Sequence, residues 1–231
     1  TSSAAHAFTL GRPDMGNVTR DEALSHAAEI VAATPLPVNG DLENGYGEAP
    51  ETVAETIRLA AEAGLSGCSI EDTTMGDDVV YDFDLAVERV AAGAAAAKAL
   101  KTQFIFTARA DGVMLGAYDM DEAIRRCQAY EAAGADMVYT PIPPSMNELA
   151  RLVKSVSIPV NGLAAGPFLK HTKADFAAAG ARRISLGSAI ARATHATINE
   201  SVSAMLSNGD FSQTHATLAG ASIDSMMKEF P

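Results

Sequence analysis

A glycine ends each of three predicted helical stretches and is followed at once by a short apolar segment. Gly64, Gly134 and Gly180 occupy these positions. Glycine readily adopts the left-handed conformation that follows the last turn of a helix, and a short apolar run after it is typical of a buried strand. Helices and strands therefore alternate along the chain, which predicts a parallel sheet covered by helices.

This alternation predicts six strands, and Thr1 has the small polar character of a residue that follows a further strand. The predicted strands lie around residue 38 and at 65–71, 103–108, 137–141, 158–163 and 183–187. Because a closed barrel of this kind has eight strands, we expect a (β/α)8 TIM-type barrel whose first strand–helix unit is missing from this chain. We interpret residues 1–231 as one barrel domain.

Residues 189–231 are predicted to form two C-terminal helical stretches, 189–206 and 214–230. The second stretch carries apolar residues at helical spacing. Two placements remain open for these helices: docking on a neighbouring subunit of a homo-oligomer, or packing on their own barrel.

The clearest chemical motif is the acidic, glycine-rich segment 37–47 that includes and follows the first predicted strand. Its two acids, Asp41 and Glu43, are two positions apart, so on an extended backbone their side chains leave on the same side. Paired carboxylates suit a hard divalent cation or acid–base catalysis. For this segment alone, a solvated acidic turn is an equally good interpretation.

Charged residues follow the next two predicted strands as well. Glu71 and Asp72 end one of them, and Arg109 with Asp111 follows the other. The carboxyl ends of parallel strands meet at one edge of a sheet, where functional groups collect. The sequence therefore predicts a site that combines a divalent cation with an arginine for an anionic substrate.

The charge balance limits the possible partners. With 17 basic and 29 acidic residues, the chain has a net charge of −12, so neither nucleic acid nor an anionic membrane is expected to bind. No membrane span or leader peptide is recognisable. Cys68 and Cys127 lack the spacing of a metal or redox motif. We therefore expect a cytoplasmic protein with two core thiols.

Taken together, the segments 41–47, 67–72 and 108–111 resemble the phosphoenolpyruvate mutase/isocitrate lyase superfamily. Thr1-Ser2-Ser3 and the segment 10–14 fit the same superfamily in order and spacing. The resemblance extends over essentially the whole chain. It implies a (β/α)8 barrel that uses Mg²⁺, or Mn²⁺ in its place, to stabilise a pyruvate-like enolate formed from a small anionic carboxylic acid.

The resemblance also implies roles for individual residues. Asp41 matches the acid that binds the metal directly, whereas Glu43 and Glu71 match acids that act largely through metal-bound water. Asp14 matches a further acid near the metal, and Arg109 matches the arginine at the substrate; with Glu71 they form the predicted catalytic set. Ser2 and Ser3 match the turn whose amides hold the substrate carboxylate. Members tend to form homo-oligomers, and a dimer or tetramer is expected here.

Three further polar residues follow predicted strands and are candidates for substrate contact: Tyr46, Thr140 and Asn161. Asn161 lies in the second copy of a Pro-Val-Asn-Gly segment that occurs at 37–40 and 159–162. His6, by contrast, is expected on a solvent-exposed loop.

The loop 73–82 is the best candidate for a lid over the site. It contains no Cys, Lys or His, whereas isocitrate and methylisocitrate lyases carry a Lys-Lys/Arg-Cys-Gly-His segment there, and phosphoenolpyruvate mutases carry a Lys and an Asn. The general acid is therefore unassigned. The favoured reaction is cleavage of a C–C bond in a small 2-oxo or 2-hydroxy dicarboxylic acid by a lyase, decarboxylase or hydrolase.

Other functions stay open. One alternative is a phosphoenolpyruvate phosphonomutase or phosphonopyruvate hydrolase that uses the same metal site. Another is a phosphate-binding aldolase or synthase barrel, whose Schiff-base form needs a lysine at a strand exit; every lysine here is predicted in a helix or loop. A non-catalytic barrel that only binds a ligand is the last.

Overall fold

The computed structural model describes residues 1–77, 79–214 and 217–228. Predictions for the loop 73–82 and for the helical stretch 214–230 therefore include residues outside the described part, namely Asp78, His215, Ala216 and the residues from 229 onward.

Six parallel strands form one sheet, and their spatial order follows their order in the chain. The strands are β1 (Asn39–Asp41), β2 (Gly67–Glu71), β3 (Ile105–Arg109), β4 (Met137–Tyr139), β5 (Val160–Leu163) and β6 (Arg183–Ser185). All six lie where the alternation of helices and strands predicts them. This order arises because each parallel connection passes through helical chain on the outside of the sheet.

Helices fill the connections between strands. They are α1 (Ser3–Thr9), α2 (Arg20–Ala32), α3 (Pro50–Glu62), α4 (Phe83–Lys98), α5 (Gly112–Leu115), α6 (Met120–Ala133), α7 (Met146–Ser155), α8 (Lys173–Ala178), α9 (Ala189–Asn208) and α10 (Gly220–Lys228). Short 3-10 turns lie at Gly166–Lys170 and Ser212–Thr214.

End signals in the sequence locate the longer helices. Thr19 and Glu22 form a reciprocal capping box at the start of α2, and Gly134 ends α6 with a φ of 104°. Neither α1 nor α5 was predicted from the sequence. They contain seven and four residues, which is too short for an apolar periodicity to show.

The core lies between the sheet and the helices α3, α4 and α6. Phe106 of β3 is fully buried and meets α4 at Gly93, where a Cβ atom would lie 2.8 Å from Phe106 Cζ. Only glycine permits this close approach of helix and strand. Val53 and Ile57 of α3 are also fully buried, and each such side chain contributes roughly 1.5–3 kcal/mol. This packing holds the strand ends in fixed register.

The sheet curves enough for a side chain of the last strand to reach the first. Arg183 of β6 donates to Asn39 Oδ1 on β1 at 3.1 Å and to Thr107 Oγ1 on β3 at 3.2 Å. The strands therefore form part of a barrel with polar groups in its interior. The α/β class with a parallel, barrel-like sheet is confirmed, while the strand–helix unit expected before Thr1 stays a prediction.

The helices α9 and α10 carry several exposed large apolar side chains: Ile190, Ile198, Val202, Leu206, Ile223, Met226 and Met227. Their docking on a neighbouring subunit, and the interpretation of 1–231 as one domain, stay predictions. Within the described ranges, no helix has both the length and the hydrophobicity needed to cross a membrane.

Candidate active site

Arg109, the last residue of β3, lies among carboxylates from neighbouring strand ends. Its guanidinium lies 2.9 Å from Asp41 Oδ1, 2.9 Å from Glu71 Oε2 and 2.5 Å from Asp111 Oδ2. The register explains the meeting, because Asp41 pairs with Ser69 on β2 and Glu71 pairs with Arg109 on β3. The structure thus brings together the charged groups that follow three successive strands.

Burial perturbs the protonation of this cluster. Loss of water raises the pKa of Glu71 to about 8 and that of Asp111 to about 6, although Arg109 acts in the opposite direction on both. Burial also tends to lower the pKa of Arg109, but the charges of Asp111, Glu71 and Asp41 outweigh it and hold that pKa well above its ordinary value. Arg109 is therefore a permanent cation beside acids that exchange protons near neutral pH.

Glu43 lies beside this cluster with one carboxylate oxygen unpaired. Its Oε1 accepts a long hydrogen bond from the Gly16 amide at 3.4 Å, and the buried Oε2 has no hydrogen-bond partner among the described residues. Burial, together with the charges of Asp41 and Asp14, raises the pKa of Glu43 to about 7 against the effect of the Gly16 hydrogen bond. Its backbone is in the left-handed region, with φ 48°, a strained conformation for a non-glycine residue.

The charge balance of the main cavity favours a bound cation. Five carboxylates line it, those of Asp14, Asp41, Glu43, Glu71 and Asp111, against the three guanidinium groups of Arg109, Arg183 and Arg192. Across the described ranges, no three His, Cys, Asp or Glu side chains already converge as a complete metal-ligand set. Mg²⁺ usually takes one or two carboxylates and keeps several waters. The unpaired oxygen of Glu43 and the excess of negative charge therefore fit Mg²⁺ better than a metal held by protein groups alone.

Ser2 and Ser3, which were predicted to hold a substrate carboxylate, begin α1 beside Asp41. Ser2 Oγ accepts from the Ala5 amide as the helix N-cap. Ser3 donates to Asp41 Oδ2 from its amide at 3.2 Å and from its hydroxyl at 3.1 Å. The turn therefore fixes Asp41 in this structure, and a substrate carboxylate would have to share these donors.

Asp72 follows Glu71 in the sequence but belongs to a second polar cluster outside the main cavity. Its Oδ2 accepts from Tyr118 Oη at 3.0 Å, Tyr130 Oη at 2.8 Å and Arg126 Nη1 at 3.0 Å. Its Oδ1 accepts from the amide of Asp111 at 2.8 Å. Successive residues of an extended chain point to opposite sides, so Asp72 supports the loop that carries Asp111 instead of lining the cavity.

Arg183 is a further functional candidate that was not predicted from the sequence. Besides contacting Asn39 and Thr107, it donates from Nε to Asn161 Oδ1 at 2.9 Å, and Asn161 donates to Ser185 Oγ at 2.8 Å. Asn39 and Asn161 come from the two Pro-Val-Asn-Gly segments, so the repeat supplies two acceptors for one half-buried guanidinium. The repeated asparagine was the available signal. Asn161 lines the main cavity, and its contact with a substrate stays a prediction.

Tyr46 and Thr140, also predicted to contact substrate, do not line the main cavity as described. Tyr46 borders a separate small cavity with His6 and His26, whose rings stack with centroids 3.9 Å apart. His6 therefore lies on α1 against α2, and the prediction of an exposed loop was wrong because α1 was not foreseen. Thr140 Oγ1 lies 3.6 Å from Cys127 Sγ, and both residues are buried.

The main cavity has a volume of about 620 Å³ and is also lined by Arg192, near the start of α9. The described part of the loop 73–82 is narrow, because Thr73 pairs with Val80 in an antiparallel bridge. Thr73 Oγ1 also donates to Glu71 Oε1 at 3.0 Å. This anchors the first residue of the loop to the site, and movement of the loop as a lid stays a prediction.

Comparisons with known proteins extend over most of the chain. The family model described as phosphoenolpyruvate phosphomutase matches residues 1–206. A Corynebacterium glutamicum protein named "Probable 2-methylisocitrate lyase 2" is 35% identical, over 69% of this chain and 52% of its own length. The 2,3-dimethylmalate lyase of Eubacterium barkeri is 32% identical, over 67% and 53%. The chain thus spans about half the length of these curated relatives.

A solved structure agrees in fold. The crystal structure of a candidate lyase/mutase from Burkholderia cenocepacia J2315 matches with a TM-score of 0.91 and 44% identity, covering 97% of this chain and 81% of that chain. The family match and the likeness in fold agree with the charged cluster at the strand ends. The chain belongs to the phosphoenolpyruvate phosphomutase family, within the phosphoenolpyruvate mutase/isocitrate lyase superfamily.

Proposed function

We propose that this protein is a Mg²⁺-dependent enzyme that cleaves a C–C bond in a small 2-oxo or 2-hydroxy dicarboxylic acid through a pyruvate-like enolate. The observation that carries the proposal is the placement of Arg109 among Asp41, Glu71 and Asp111 beside the unpaired oxygen of Glu43. Two of the relatives above are lyases by name, which supports the reaction class.

Asp41, Glu43 and Glu71 would hold the cation, with Asp14 adding negative charge nearby. When bound, Mg²⁺ supplies positive charge that stabilises an oxygen on which negative charge develops. The raised pKa values of Glu43 and Glu71 mean that both must lose protons before they can bind a cation. Cation affinity should therefore rise with pH through neutrality.

In this proposal Arg109 provides a fixed positive charge for the substrate. Its ion pair with Asp111 holds the guanidinium plane, because Asp111 contacts both Nε at 3.1 Å and Nη2 at 2.5 Å. Its Nη1 donates to Asp41 Oδ1 at 2.9 Å, and a bound substrate would share this donor with Asp41. The charge of the guanidinium does not change with pH in the neutral range. A preorganised cation at a developing negative charge is among the largest contributions to catalysis.

The second carboxylate of a dicarboxylic acid has a candidate partner in Arg192. This residue lines the same cavity as Arg109 but comes from α9, whereas Arg109 comes from β3. Two arginines on different elements match a substrate with two separated anionic groups. Arg192 therefore supports a dicarboxylic acid over a monocarboxylic one.

Calorimetric titration with oxalate, a mimic of the pyruvate enolate, tests the proposal. Binding should require Mg²⁺, and Glu71→Gln should weaken it about 10–100-fold, as loss of groups around a metal typically does. Glu131→Gln, on the far end of α6, is the matched control and should bind oxalate as the wild type does. Absence of oxalate binding by the folded protein in the presence of Mg²⁺ would contradict the enolate site.

The family match itself keeps phosphonate chemistry as a second candidate, either as a phosphonomutase or as a phosphonopyruvate hydrolase. A phosphonate carries more charge than a carboxylate and needs additional cations around it. The described residues of the loop 73–82 provide none. Comparing turnover of phosphonopyruvate with turnover of oxaloacetate and substituted malates decides between the two reactions, and faster conversion of phosphonopyruvate would favour the second candidate.

A further inference from the structure

The main cavity has two chemically different sides. Carboxylates and Arg109 line it from the ends of β1, β2 and β3, whereas the lining from α5 and from the ends of β4 and β5 is largely apolar. The apolar lining residues are Met114, Leu115, Pro141, Ile142, Leu163 and Ala165. A pyruvate-like group bound at the charged side would therefore direct its remaining substituents toward either Arg192 or this apolar side.

Ile142 is the unusual member of the apolar side. Its φ is 44°, in the left-handed region that a β-branched residue almost never adopts. Gly or Asn would fit this backbone with less strain, but neither would supply a branched apolar surface. The side chain of Ile142 packs partly against the core and also lines the cavity.

The surroundings of Ile142 give its side chain little freedom to move away. Pro141 precedes it and Pro143 follows it, and both are buried. Ile142 Cδ1 lies 3.6 Å from the point where a Cβ atom on Gly166 would stand. Ile142 therefore lies within van der Waals reach of the loop that carries Gly166, and it forms part of the cavity wall.

We propose that Ile142, with Leu115 and Leu163, forms a subsite for an alkyl group on the substrate. The preferred substrate then carries a small alkyl branch next to the carbon that becomes part of the enolate, in addition to its carboxylates. This inference rests on the proposed function, because the charged side of the cavity must first fix the pyruvate-like part of the substrate.

The test uses oxalate and a series of N-alkyl oxamates (oxamate, N-methyl, N-ethyl and N-propyl) as calorimetric ligands with Mg²⁺. Oxamates retain a carboxylate beside a carbonyl group, and the alkyl chain extends from the other end. Burial of each methylene group should improve affinity about fourfold in the wild type. Ile142→Gly should remove most of this gain while oxalate affinity stays within about twofold, and Ile142→Leu should retain it.

Leu169→Ala is the matched control, because Leu169 is a large apolar residue that is 62% exposed and lies outside the cavity. It should leave the whole series unchanged. Thermal unfolding of Ile142→Gly checks that the fold persists, which relief of the strained φ favours.

The outcomes separate the two proposals. Oxalate binding without any gain along the oxamate series overturns the alkyl subsite and leaves the enolate site intact. A gain that persists in Ile142→Gly shows that other residues form the subsite and overturns the role of Ile142. If a folded protein binds neither oxalate nor any oxamate, both the proposed function and the subsite fail.

Discussion

Two buried ionic clusters begin at adjacent residues of the same strand end, and they differ in how well their charges are matched. Asp72 receives hydrogen bonds from Arg126, two tyrosine hydroxyls and one backbone amide. The cluster around Arg109 has the opposite balance, because several acids share one guanidinium and Glu43 Oε2 has no partner among the described residues.

This difference distinguishes polar groups that stabilise the fold from polar groups that are available to bind a ligand. A buried charge whose hydrogen bonds are all made supports the fold and has nothing left to offer a ligand. A buried group of acids with an excess of charge is costly for the isolated protein and becomes favourable when a cation arrives. We therefore expect mutations in the two clusters to have different signatures, one in stability and the other in ligand binding.

The largest effect on stability should come from the matched cluster. Asp72→Ala leaves Arg126 Nη1 and two tyrosine hydroxyls without their acceptor, while Arg126 keeps Glu122 and the Tyr81 carbonyl. The free energy of unfolding should therefore fall by roughly 3 kcal/mol. Urea denaturation of the variant and the wild type measures this difference. A loss below about 1 kcal/mol would show that water or neighbouring groups replace the carboxylate, and the contrast between the clusters would fail.

The largest effect on function should come from Arg109. Arg109→Gln removes the fixed cation, and turnover of whichever 2-oxo or 2-hydroxy acid proves active should fall about 10²–10³-fold. Arg182→Gln changes an exposed arginine and is the control. Steady-state kinetics of both variants measure the difference in turnover. Equal activities of the two variants would remove Arg109 from the mechanism.

The unmatched cluster should also make stability depend on pH and on Mg²⁺. Glu43 and Glu71 have folded pKa values of about 7 and about 8, against about 4.3 in an unfolded chain. Between these values the folded protein retains protons that the unfolded chain has released, so stability falls as pH rises from about 4 to 8. In EDTA the Tm should drop by at least about 2–4 °C from pH 5 to pH 8.

Added Mg²⁺ should reverse that trend above neutrality, because it binds the ionised acids of the folded state. Glu43→Gln should flatten the pH dependence measured in EDTA, since it removes one of the titrating groups. A Tm that rises steadily with pH in EDTA, or that does not change when Mg²⁺ is added at pH 8, would contradict this account of the cluster.

The smallest effect should follow loss of one hydrogen bond inside the site. Thr73→Val removes the hydroxyl that lowers the pKa of Glu71, so the pH at which Mg²⁺ binds should move upward by a few tenths of a unit at a stability cost of about 1 kcal/mol. Thr140→Val, whose hydroxyl lies against Cys127 Sγ, is the matched control. It should leave the pH dependence of Mg²⁺ binding unchanged.

Much of the fold follows from local signals in the sequence. The glycines that end helices, the capping box at Thr19 and Pro50 at the first position of α3 act through backbone conformation and hydrogen bonds within a few residues. They locate the strands and long helices to within a few positions. The helices α1 and α5 are too short for an apolar periodicity to show, although Ser2 caps α1 and Gly116 ends α5, and the position of His6 was mistaken for that reason.

In the candidate site, too, some features follow from the sequence and others depend on the tertiary structure. The sequence determined that Asp41, Glu71 and Arg109 meet, because residues at the carboxyl ends of adjacent parallel strands must share one edge. Only the tertiary structure decided that Asp72 leaves this edge, that Arg183 crosses the barrel to Asn39, and that Thr140 faces the core. These outcomes depend on the curvature of the sheet and on partners more than thirty residues distant in most cases, which no pattern of neighbouring residues encodes.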